Sequence, residues 1–472
     1  MYLSRLQTIL GGALMGDADF TGISQNFDDV NAGDLFVCIN GLRFDAHEKA
    51  REAVEKGAAA LLVERAVPID VPQLVVADTR EGLSKAASLL YGLDKPTFAL
   101  VGVTGTNGKT STAYMLQRIF SVAGKPSAYI GTLGVVADKL LMPPTLTTPD
   151  PLALAQLLSD LGGRGVKYVF LEVSAHAAYF RKVAGLAFDA MVFTNLTQDH
   201  LDFFADMEEY GEAKRSLFRP EQSKMAVLNA DDAFGRDILH HCKLGTLTYG
   251  LDSPADVFAV DVRDTVDGLR FVVNAFDLVA DIESNLHGRF NVYNALAATA
   301  VSGYLGVDLR YVAQALRHIT ILGRFNVTDI GGVRFIIDYA HTPDGLSNSL
   351  AAARAQTKGN LRVVFGCGGD RDQSKRAEMG RIAETMADYV YITNDNPRGE
   401  EPERIAQGIE AGMASGGKYT VILDREAAIT AAYRDSKAGD CVLIAGKGAE
   451  TSMEIGGKKV AYSDYATLEK LK

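Results

Sequence analysis

The stretch Thr97-Phe98-Ala99-Leu100-Val101-Gly102-Val103-Thr104-Gly105-Thr106-Asn107-Gly108-Lys109-Thr110 decides the fold. An apolar run long enough for one strand leads into two glycines and a Lys-Thr pair. Met115, Leu116, Ile119 and Ala123 then recur at helical spacing, and Gly124 suits the C-terminal end of that helix. A strand, a glycine loop and a helix N-terminus together present several backbone N–H groups to a phosphate, and the helix dipole adds to them. Lys109 is placed to reach the β- and γ-phosphates of a nucleoside triphosphate, and the Thr110 hydroxyl to bind Mg2+. The usual spacing puts a further glycine where Val103 stands. An ordinary strand–helix turn is the alternative, but it gives no reason for Lys-Thr at that point.

Outward from this loop the chain repeats one pattern: a short β-branched run, a Gly-rich or polar turn, then a helical period. That alternation predicts an α/β fold with parallel layers. The 472 residues, at roughly 150 per domain, suggest about three domains. Residues 1–95 hold the strands Asp34-Leu35-Phe36-Val37-Cys38-Ile39 and Ala60-Leu61-Leu62-Val63 around a helical stretch near 46–57. A polar break at Asp94-Lys95-Pro96 opens a second segment, 96–321. A third, 322–472, begins at Gly323-Arg324 and runs through Phe335-Ile336-Ile337-Asp338. The expected fold is three domains, with a central P-loop ATPase-type parallel sheet and a Rossmann-like C-terminal domain.

Composition narrows the function. Forty-eight Lys and Arg against 59 Asp and Glu give a net charge of −11, which argues against a general nucleic-acid or anionic-membrane binder. A local basic pocket for a small anion stays compatible with it. Cys38, Cys242, Cys367 and Cys441 lie far apart with no CxxC spacing, so neither a disulfide framework nor a zinc site is expected. No apolar run approaches the ~20 residues of a membrane span, and Met1-Tyr2-Leu3-Ser4-Arg5 opens a poor signal peptide. A soluble, cytoplasmic protein is expected.

Ligands of open α/β sheets collect outside the carboxyl ends of the strands. After Tyr168-Val169-Phe170-Leu171 comes Glu172; after Ala190-Met191-Val192-Phe193 the chain reaches Asp199-His200-Leu201-Asp202. Glu172 and His200 are thereby placed to meet a Mg2+ whose other ligands are phosphate oxygens. The carboxylate is the expected hard ligand and the histidine a less usual one. Lys214, in Tyr210-Gly211-Glu212-Ala213-Lys214, reads by itself as a solvated lysine on a polar helix face.

The loop form Thr104-Gly105-Thr106-Asn107-Gly108-Lys109-Thr110 resembles that of the Mur ligases, which also accounts for Val103. Further markers spread the resemblance over essentially the whole chain: Gly33-Asp34-Leu35-Phe36, Glu172-Val173-Ser174, Asn195-Leu196 with Asp199-His200-Leu201-Asp202, and Asp338-Tyr339-Ala340-His341-Thr342-Pro343-Asp344. Phe365-Gly366-Cys367-Gly368-Gly369-Asp370-Arg371-Asp372 and Asp395-Asn396-Pro397-Arg398 resemble the members that add meso-diaminopimelate to UDP-N-acetylmuramoyl-L-alanyl-D-glutamate. The implied activity is an ATP-dependent amide ligation through an acyl phosphate, in peptidoglycan precursor synthesis. Ligation of L-lysine or another diamino acid, and a non-catalytic ATP-binding regulator, are the alternatives.

The resemblance also implies roles. Segment 1–95 would bind the UDP-sugar end, 96–321 ATP, and 322–472 the amino acid. Gly105, Thr106, Asn107, Gly108, Lys109, Thr110 and Ser111 would hold the ATP phosphates, Asn291 and Asn294 the adenine, and Arg324 and Asp338 would approach ATP. Lys214 matches a lysine carried as a carbamate (N6-carboxylysine); with Thr110, Glu172 and His200 it would hold two Mg2+, and Lys109, Glu172, His200 and Lys214 would be catalytic. Thr147, Thr148, Ser174 and Lys182 would contact the muramoyl dipeptide. Arg371, Asp395, Asn396, Pro397, Arg398, Gly446 and Glu450 would form the diaminopimelate pocket, where a guanidinium can clamp the distal carboxylate with two parallel hydrogen bonds. The implied partners are small molecules, with no nucleic acid, no membrane and a monomeric state. Three places depart from the family pattern: Asn26-Phe27-Asp28 replaces Asp-Ser-Arg, Phe180-Arg181-Lys182 replaces Gln-x-Arg, and Ala449 stands where histidine is common.

Overall fold

A computed structural model describes residues 1–41, 44–138, 140–414 and 416–472. The chain divides into two compact units. The first comprises Met1–Gly102, Lys125–Met191 and Ser216–Met225; the second comprises Val103–Gly124, Val192–Arg215 and Ala226–Lys472. Among the described residues no helix is long and apolar enough to cross a membrane.

The first unit opens with β1 (Ala13–Met15), β2 (Gly22–Ser24), β3 (Asp34–Val37), β4 (Ala60–Val63) and β5 (Gln73–Val75), ordered β1-β5-β4-β3-β2. Only the β1–β5 pair is antiparallel. Both faces are covered, as a parallel sheet requires. Leu35, Val37 and Leu62 pack on one side with Leu83 and Ala86, while Phe36, Cys38, Leu61 and Val63 pack on the other with Ala50 and Ala53. Strand β3 ends at Val37, two residues before the sequence expectation. The expected helical stretch is a 3-10 turn, Ala46–Lys49, running into the α-helix Ala50–Glu55.

The strands that follow are β6 (Ala99–Thr104), β7 (Ser127–Gly131), β8 (Gly134–Ala137), β9 (Leu140–Met142), β10 (Tyr168–Glu172) and β11 (Ala190–Phe193). Within the first unit their order is β9-β8-β7-β10-β6-β11. Strands β7 and β10 are parallel, whereas β7, β8 and β9 form an antiparallel meander.

In the second unit the ends of β6 and β11 are followed by β12 (Met225–Asn229), β13 (Gly245–Gly250), β14 (Val257–Thr265), β15 (Gly268–Ala275) and β16 (Leu278–Ser284), in the order β6-β11-β12-β13-β14-β15-β16. The expected strand–helix alternation fails over 245–284, where β14, β15 and β16 are antiparallel neighbours with no helix between them. Their second turn is Phe276-Asp277, with φ +53° and +61°. Two successive left-handed residues give the hairpin geometry that Asn-Gly normally signals; Phe276 hid it.

The remaining sheet holds β17 (Asn326–Ile330), β18 (Val333–Ile337), β19 (Leu361–Phe365), β20 (Tyr389–Ile392), β21 (Tyr419–Val421) and β22 (Cys441–Ile444), ordered β17-β18-β22-β19-β20-β21. Only β17–β18 is antiparallel. A hairpin of β23 (Ser452–Ile455) and β24 (Lys458–Ala461) follows. Alternate residues serve two cores: Ile336, Val363, Phe365 and Leu443 on one face, Phe335, Ile337, Val364 and Val442 on the other. This Rossmann-like order puts the ends of β18, β22, β19 and β20 side by side, so Asp338, Gly446, Gly366 and Asp395 all leave the same edge.

Arg425 braces that edge from within. Fully buried, it donates from Nε and Nη2 to the two Asp464 oxygens at 2.8 and 2.9 Å, from Nη2 to the Ala445 carbonyl at 2.9 Å, and from Nη1 to the Asn394 carbonyl at 3.2 Å. Those carbonyls immediately precede Gly446 and Asp395. Replacing one partner leaves a buried charge uncompensated, so Asp464→Asn is expected to cost about 3 kcal/mol, measured by chemical denaturation. A loss below about 1 kcal/mol would show the pair to be no stronger than a surface one.

Candidate active site

The loop after β6 is shaped by two close approaches. Gly105 has φ +144°, and a Cβ there would lie 1.9 Å from Thr194 Oγ1; Gly108 has φ +87°, and a Cβ would lie 2.4 Å from Asn294 Oδ1. Neither position accepts a side chain. Val103 is fully buried inside the strand, so the glycine missing from the usual pattern is not needed. The loop is then stitched to the segment leaving β11. The Thr106 N–H donates to the Asn195 carbonyl at 2.9 Å and the Asn107 N–H to Asn195 Oδ1 at 2.9 Å. Thr194 Oγ1 donates to the Asn107 carbonyl at 2.6 Å. The helix Lys109–Val122 starts at Gly108, and among the described residues no side chain caps it. Its first-turn N–H groups and dipole suit an anion. The Lys109 ammonium folds over the loop, donating to the Gly105 and Thr106 carbonyls at 3.0 and 2.8 Å.

Of the other expected nucleotide residues, Arg324, Asn294 and Ser111 meet this loop or the helix it opens, Asn291 reaches it through Asn294, and Asp338 is held by residues outside it. Arg324 Nη2 donates to Thr110 Oγ1 at 2.9 Å, and its guanidinium stacks 4.3 Å over Tyr339. Asp338 is buried, accepting from Ser349 Oγ and from the Phe325 and Tyr339 N–H groups. Asn291 and Asn294 are also buried and bond each other at 3.1 Å; Asn294 accepts from Thr112 Oγ1 at 3.3 Å, so the pair braces the turn beneath Gly108. Ser111 is buried in the first helical turn. Asn107 Nδ2 donates to Asp344 Oδ2 at 2.8 Å.

Asp199 is given no role from sequence beyond its place in a family marker, yet it centres a charged cluster. Lys375 Nζ lies 3.0 Å from its Oδ1, while His200 Nε2 and His341 Nε2 lie 3.4 and 3.6 Å from its Oδ2. Burial pushes the Asp199 pKa up, but His341, Lys375 and His200 together hold it well below the usual carboxylate value. Lys214, in the helix Met207–Arg215, is the opposite case. Its Nζ is buried with no hydrogen-bond partner among the described residues, 3.6 Å over the Tyr210 ring. Burial, and then the charge of Lys109, press its pKa well below that of an ordinary lysine. The sequence reading of a solvated lysine is therefore corrected: this amine is dry and inclined to be neutral.

In the first unit, Glu172 is fully buried. It accepts from Tyr129 OH, from the Thr132 N–H at 3.0 Å and from Thr132 Oγ1 at 3.1 Å. Thr148 Oγ1 donates to the Glu172 carbonyl at 2.8 Å and accepts the Ser174 N–H at 3.0 Å, and Thr147 Oγ1 lies 3.2 Å from Thr132 Oγ1. Lys182 Nζ sits 2.7 Å from Asp150. Thr147, Thr148, Ser174 and Lys182 thus form one polar neighbourhood. Elsewhere in this unit, Asn26, Phe27, Asp28, Phe36, Phe44 and Lys49 help line a cavity of about 340 Å³.

At the edge of the last sheet, Asp395 is buried against Gly446, whose φ is +109° and where a Cβ would lie 2.4 Å from Asp395 Oδ2. Asn396 Nδ2 donates to Asp395 Oδ1 and to Glu450 Oε2 at 3.0 and 2.9 Å. Lys447, also unanticipated, donates to Asn396 Oδ1 and Glu450 Oε2 at 3.1 and 2.7 Å. Pro397 leads into Arg398 (φ +53°), whose Nη1 donates to the Gly369 carbonyl at 2.8 Å. Arg371 is half exposed and lies 3.9 Å from Asp202. Asp199 and Lys447 flank positions the sequence did flag, but adjacency alone could not show their burial or their partners.

Comparison with known proteins adds context to this geometry. Residues 103–302 match the Mur ligase middle domain, and residues 323–448 the Mur ligase glutamate ligase domain. The UDP-N-acetylmuramoyl-L-alanyl-D-glutamate--2,6-diaminopimelate ligase of Geobacillus thermodenitrificans is 41% identical over 461 residues, covering 96% of this chain and 94% of that protein. The protein of the same name from Aquifex aeolicus is 38% identical over 452 residues, covering 95% and 93%. A solved structure of a ligase of that name superposes with a TM-score of 0.70 at 32% identity, covering 96% of this chain and 94% of the other. MurF ligase from Thermotoga maritima in complex with ADP shares the fold, with a TM-score of 0.62 at 24% identity over 91% and 94% of the two chains.

The Asp199 cluster has a pH signature. A carboxylate with a depressed folded-state pKa contributes stability that is present above its unfolded value, about 3.9, and lost as pH falls toward the folded value. Asp199→Asn is expected to cost about 3 kcal/mol at neutral pH, with the gap to the parent protein narrowing below about pH 4. Denaturation midpoints measured across pH check this; a gap independent of pH would sink it.

Proposed function

The chain belongs to the Mur ligases, ATP-dependent enzymes that form amide bonds, and on that premise we propose that it adds meso-diaminopimelate to UDP-N-acetylmuramoyl-L-alanyl-D-glutamate. The observation that carries the choice of amino acid is the Asp395–Arg398 turn, where Asn396 bonds Glu450 and the Arg398 guanidinium lies 2.8 Å from the Gly369 carbonyl, in a chain about 40% identical to curated diaminopimelate ligases.

The γ-phosphoryl group of ATP passes to the side-chain carboxylate of the D-Glu residue, giving an acyl phosphate and ADP. The amine at the L-centre of diaminopimelate attacks the acyl carbon, and the tetrahedral intermediate collapses with loss of phosphate and a proton. The chain contributes mainly position and charge. Gly105, Thr106, Asn107, Gly108, Lys109, Thr110 and Ser111 cradle the phosphates, with Arg324 and Asp338 approaching ATP and Asn291 and Asn294 assigned to the adenine side. Thr147, Thr148, Ser174 and Lys182 bind the muramoyl dipeptide, and the cavity around Asn26 and Phe27 takes its nucleotide end. Arg371, Asp395, Asn396, Pro397, Arg398, Gly446 and Glu450 hold the incoming amino acid. We assign these tasks to segments 1–95, 96–321 and 322–472 of a cytoplasmic monomer.

A divalent metal fits the donor chemistry. A buried amine without a partner is costly, and a neutral amine is the form that adds CO2. The carbamate so formed turns Lys214 into an anionic oxygen donor. With Thr110, Glu172 and His200 it would hold Mg2+, two ions in the full reading, whose positive charge offsets that of the phosphoryl oxygens.

Two measurements test the reading. Phosphate release with separate amino acids is expected to favour meso-diaminopimelate over L-lysine by about 100-fold or more in kcat/KM; a preference for lysine refutes the amino-acid assignment. Activity is expected to fall in CO2-depleted buffer and return with bicarbonate, while Lys214→Arg lies about 100-fold lower and ignores bicarbonate. An unmodified Lys214 in the active complex, seen by intact mass or electron density, refutes the carbamate.

A further inference from the structure

Arg376, the second residue of the helix Lys375–Met386, spends a buried guanidinium on no substrate role assigned above. Its side chain is 4% exposed. Nη1 and Nη2 donate to the two Glu400 oxygens, both at 2.7 Å, and Nη2 also reaches the Gly368 carbonyl at 3.3 Å. Glu400 Oε2 accepts the Asp370 N–H at 3.4 Å. One ion pair therefore spans the loop after β19 and the loop after β20.

Those loops also hold each other. The Gly369 N–H donates to the Asn396 carbonyl at 2.9 Å, the Gly399 N–H to Asp370 Oδ2 at 2.9 Å, and Arg398 Nη1 to the Gly369 carbonyl. Each carries a left-handed residue that is not glycine, Asp370 at φ +52° and Arg398 at φ +53°. Such conformations persist where surrounding contacts over-determine them. The helix has other anchors, since Lys375 pairs with Asp199 and Met379, Ile382 and Ala383 sit in the core. Arg376 is thus not required to dock the helix; what it joins is the pair of loops that aims Arg398.

We propose that Arg376 and Glu400 are positioning residues that set the amino-acid selectivity of the site. Their two-pronged bond fixes the spacing of the Gly368–Asp370 and Asn396–Gly399 turns, and so the place where the Arg398 guanidinium meets a distal carboxylate. The proposal rests on the diaminopimelate reading above and deepens it.

Arg376→Lys, Arg376→Gln and Glu400→Gln in the full chain test it, with KM taken for all three substrates in turn. Displacing a binding group by about 1 Å costs up to about 100-fold. The KM for meso-diaminopimelate is therefore expected to rise about 10- to 100-fold, and the preference over L-lysine to fall by a similar factor. The KM values for ATP and the UDP-dipeptide should stay within about twofold. Arg376→Lys keeps the charge but cannot span both loops, so it should not rescue. Equal rises for all three substrates, an unchanged amino-acid KM, or lowered thermal stability with selectivity intact each overturn the proposal. If Arg376→Gln does not fold, the other two variants give the same readout. A parent enzyme that prefers L-lysine refutes the functional reading alone; the clamp is then judged on the slower reaction with meso-diaminopimelate, where a rise in its KM with the KM for lysine unchanged supports it and constancy overturns it.

Discussion

Hydrogen bonds between the Gly105–Gly108 loop and the segment leaving β11 are the constraint on which the second unit's chemistry depends. They require two glycines because backbone and side-chain oxygens come closer than any Cβ allows. Once the loop is fixed, Asn107 is aimed at Asp344, Thr110 at Arg324, and Thr106 at Tyr210. The loop is therefore also where the segments leaving β6 and β11 are tied to each other and to Arg324 and Asp344. On the proposed reading the glycines serve packing and anion binding together, since a backbone with no side chain can approach both a neighbouring segment and a ligand.

Buried charge is concentrated around these strand ends, and it is satisfied unevenly. Asp199, Arg376 and Arg425 each have an opposite charge within 3.0 Å. Among the described residues Lys214 has none at hydrogen-bond distance. Breaking a buried pair costs more than the pair contributes, so the first three act as rigid spacers. A lone buried amine is destabilising until something changes its chemistry. The net charge of −11 fits this arrangement: anionic ligands are met by a few cations at the sheet edges rather than by a basic surface.

Much of this was legible in the sequence because it is local. The loop, the helix after it and Glu172 at the end of β10 follow from runs and spacings within about a dozen residues. The antiparallel strands of 245–284 were not legible, because their turn is closed by Phe276 and Asp277 and not by the usual glycine. Lys214 was misread for a different reason. A helix period tells which residues share a face, as Tyr210 and Lys214 do, but not that this face is buried in a dry interior. Arg376 and Lys375 were missed because two adjacent cations at a helix start read as solvated. Their partners lie 24 and 176 positions away in the chain.

The left-handed backbone at Arg398 bears on how such a site can drift. For a residue with a Cβ that conformation costs about 1–2 kcal/mol, and glycine or asparagine would occupy it more comfortably. On the proposed reading, loss of the arginine is favoured by this backbone cost and opposed by its hydrogen bond to the Gly369 carbonyl and by the need to grip its ligand. On that reading, preference for an amino acid with a distal carboxylate is a metastable trait, maintained by selection on chemistry and eroded by any relaxation of it. The direction of easiest change is toward a looser, less discriminating pocket on an unaltered sheet.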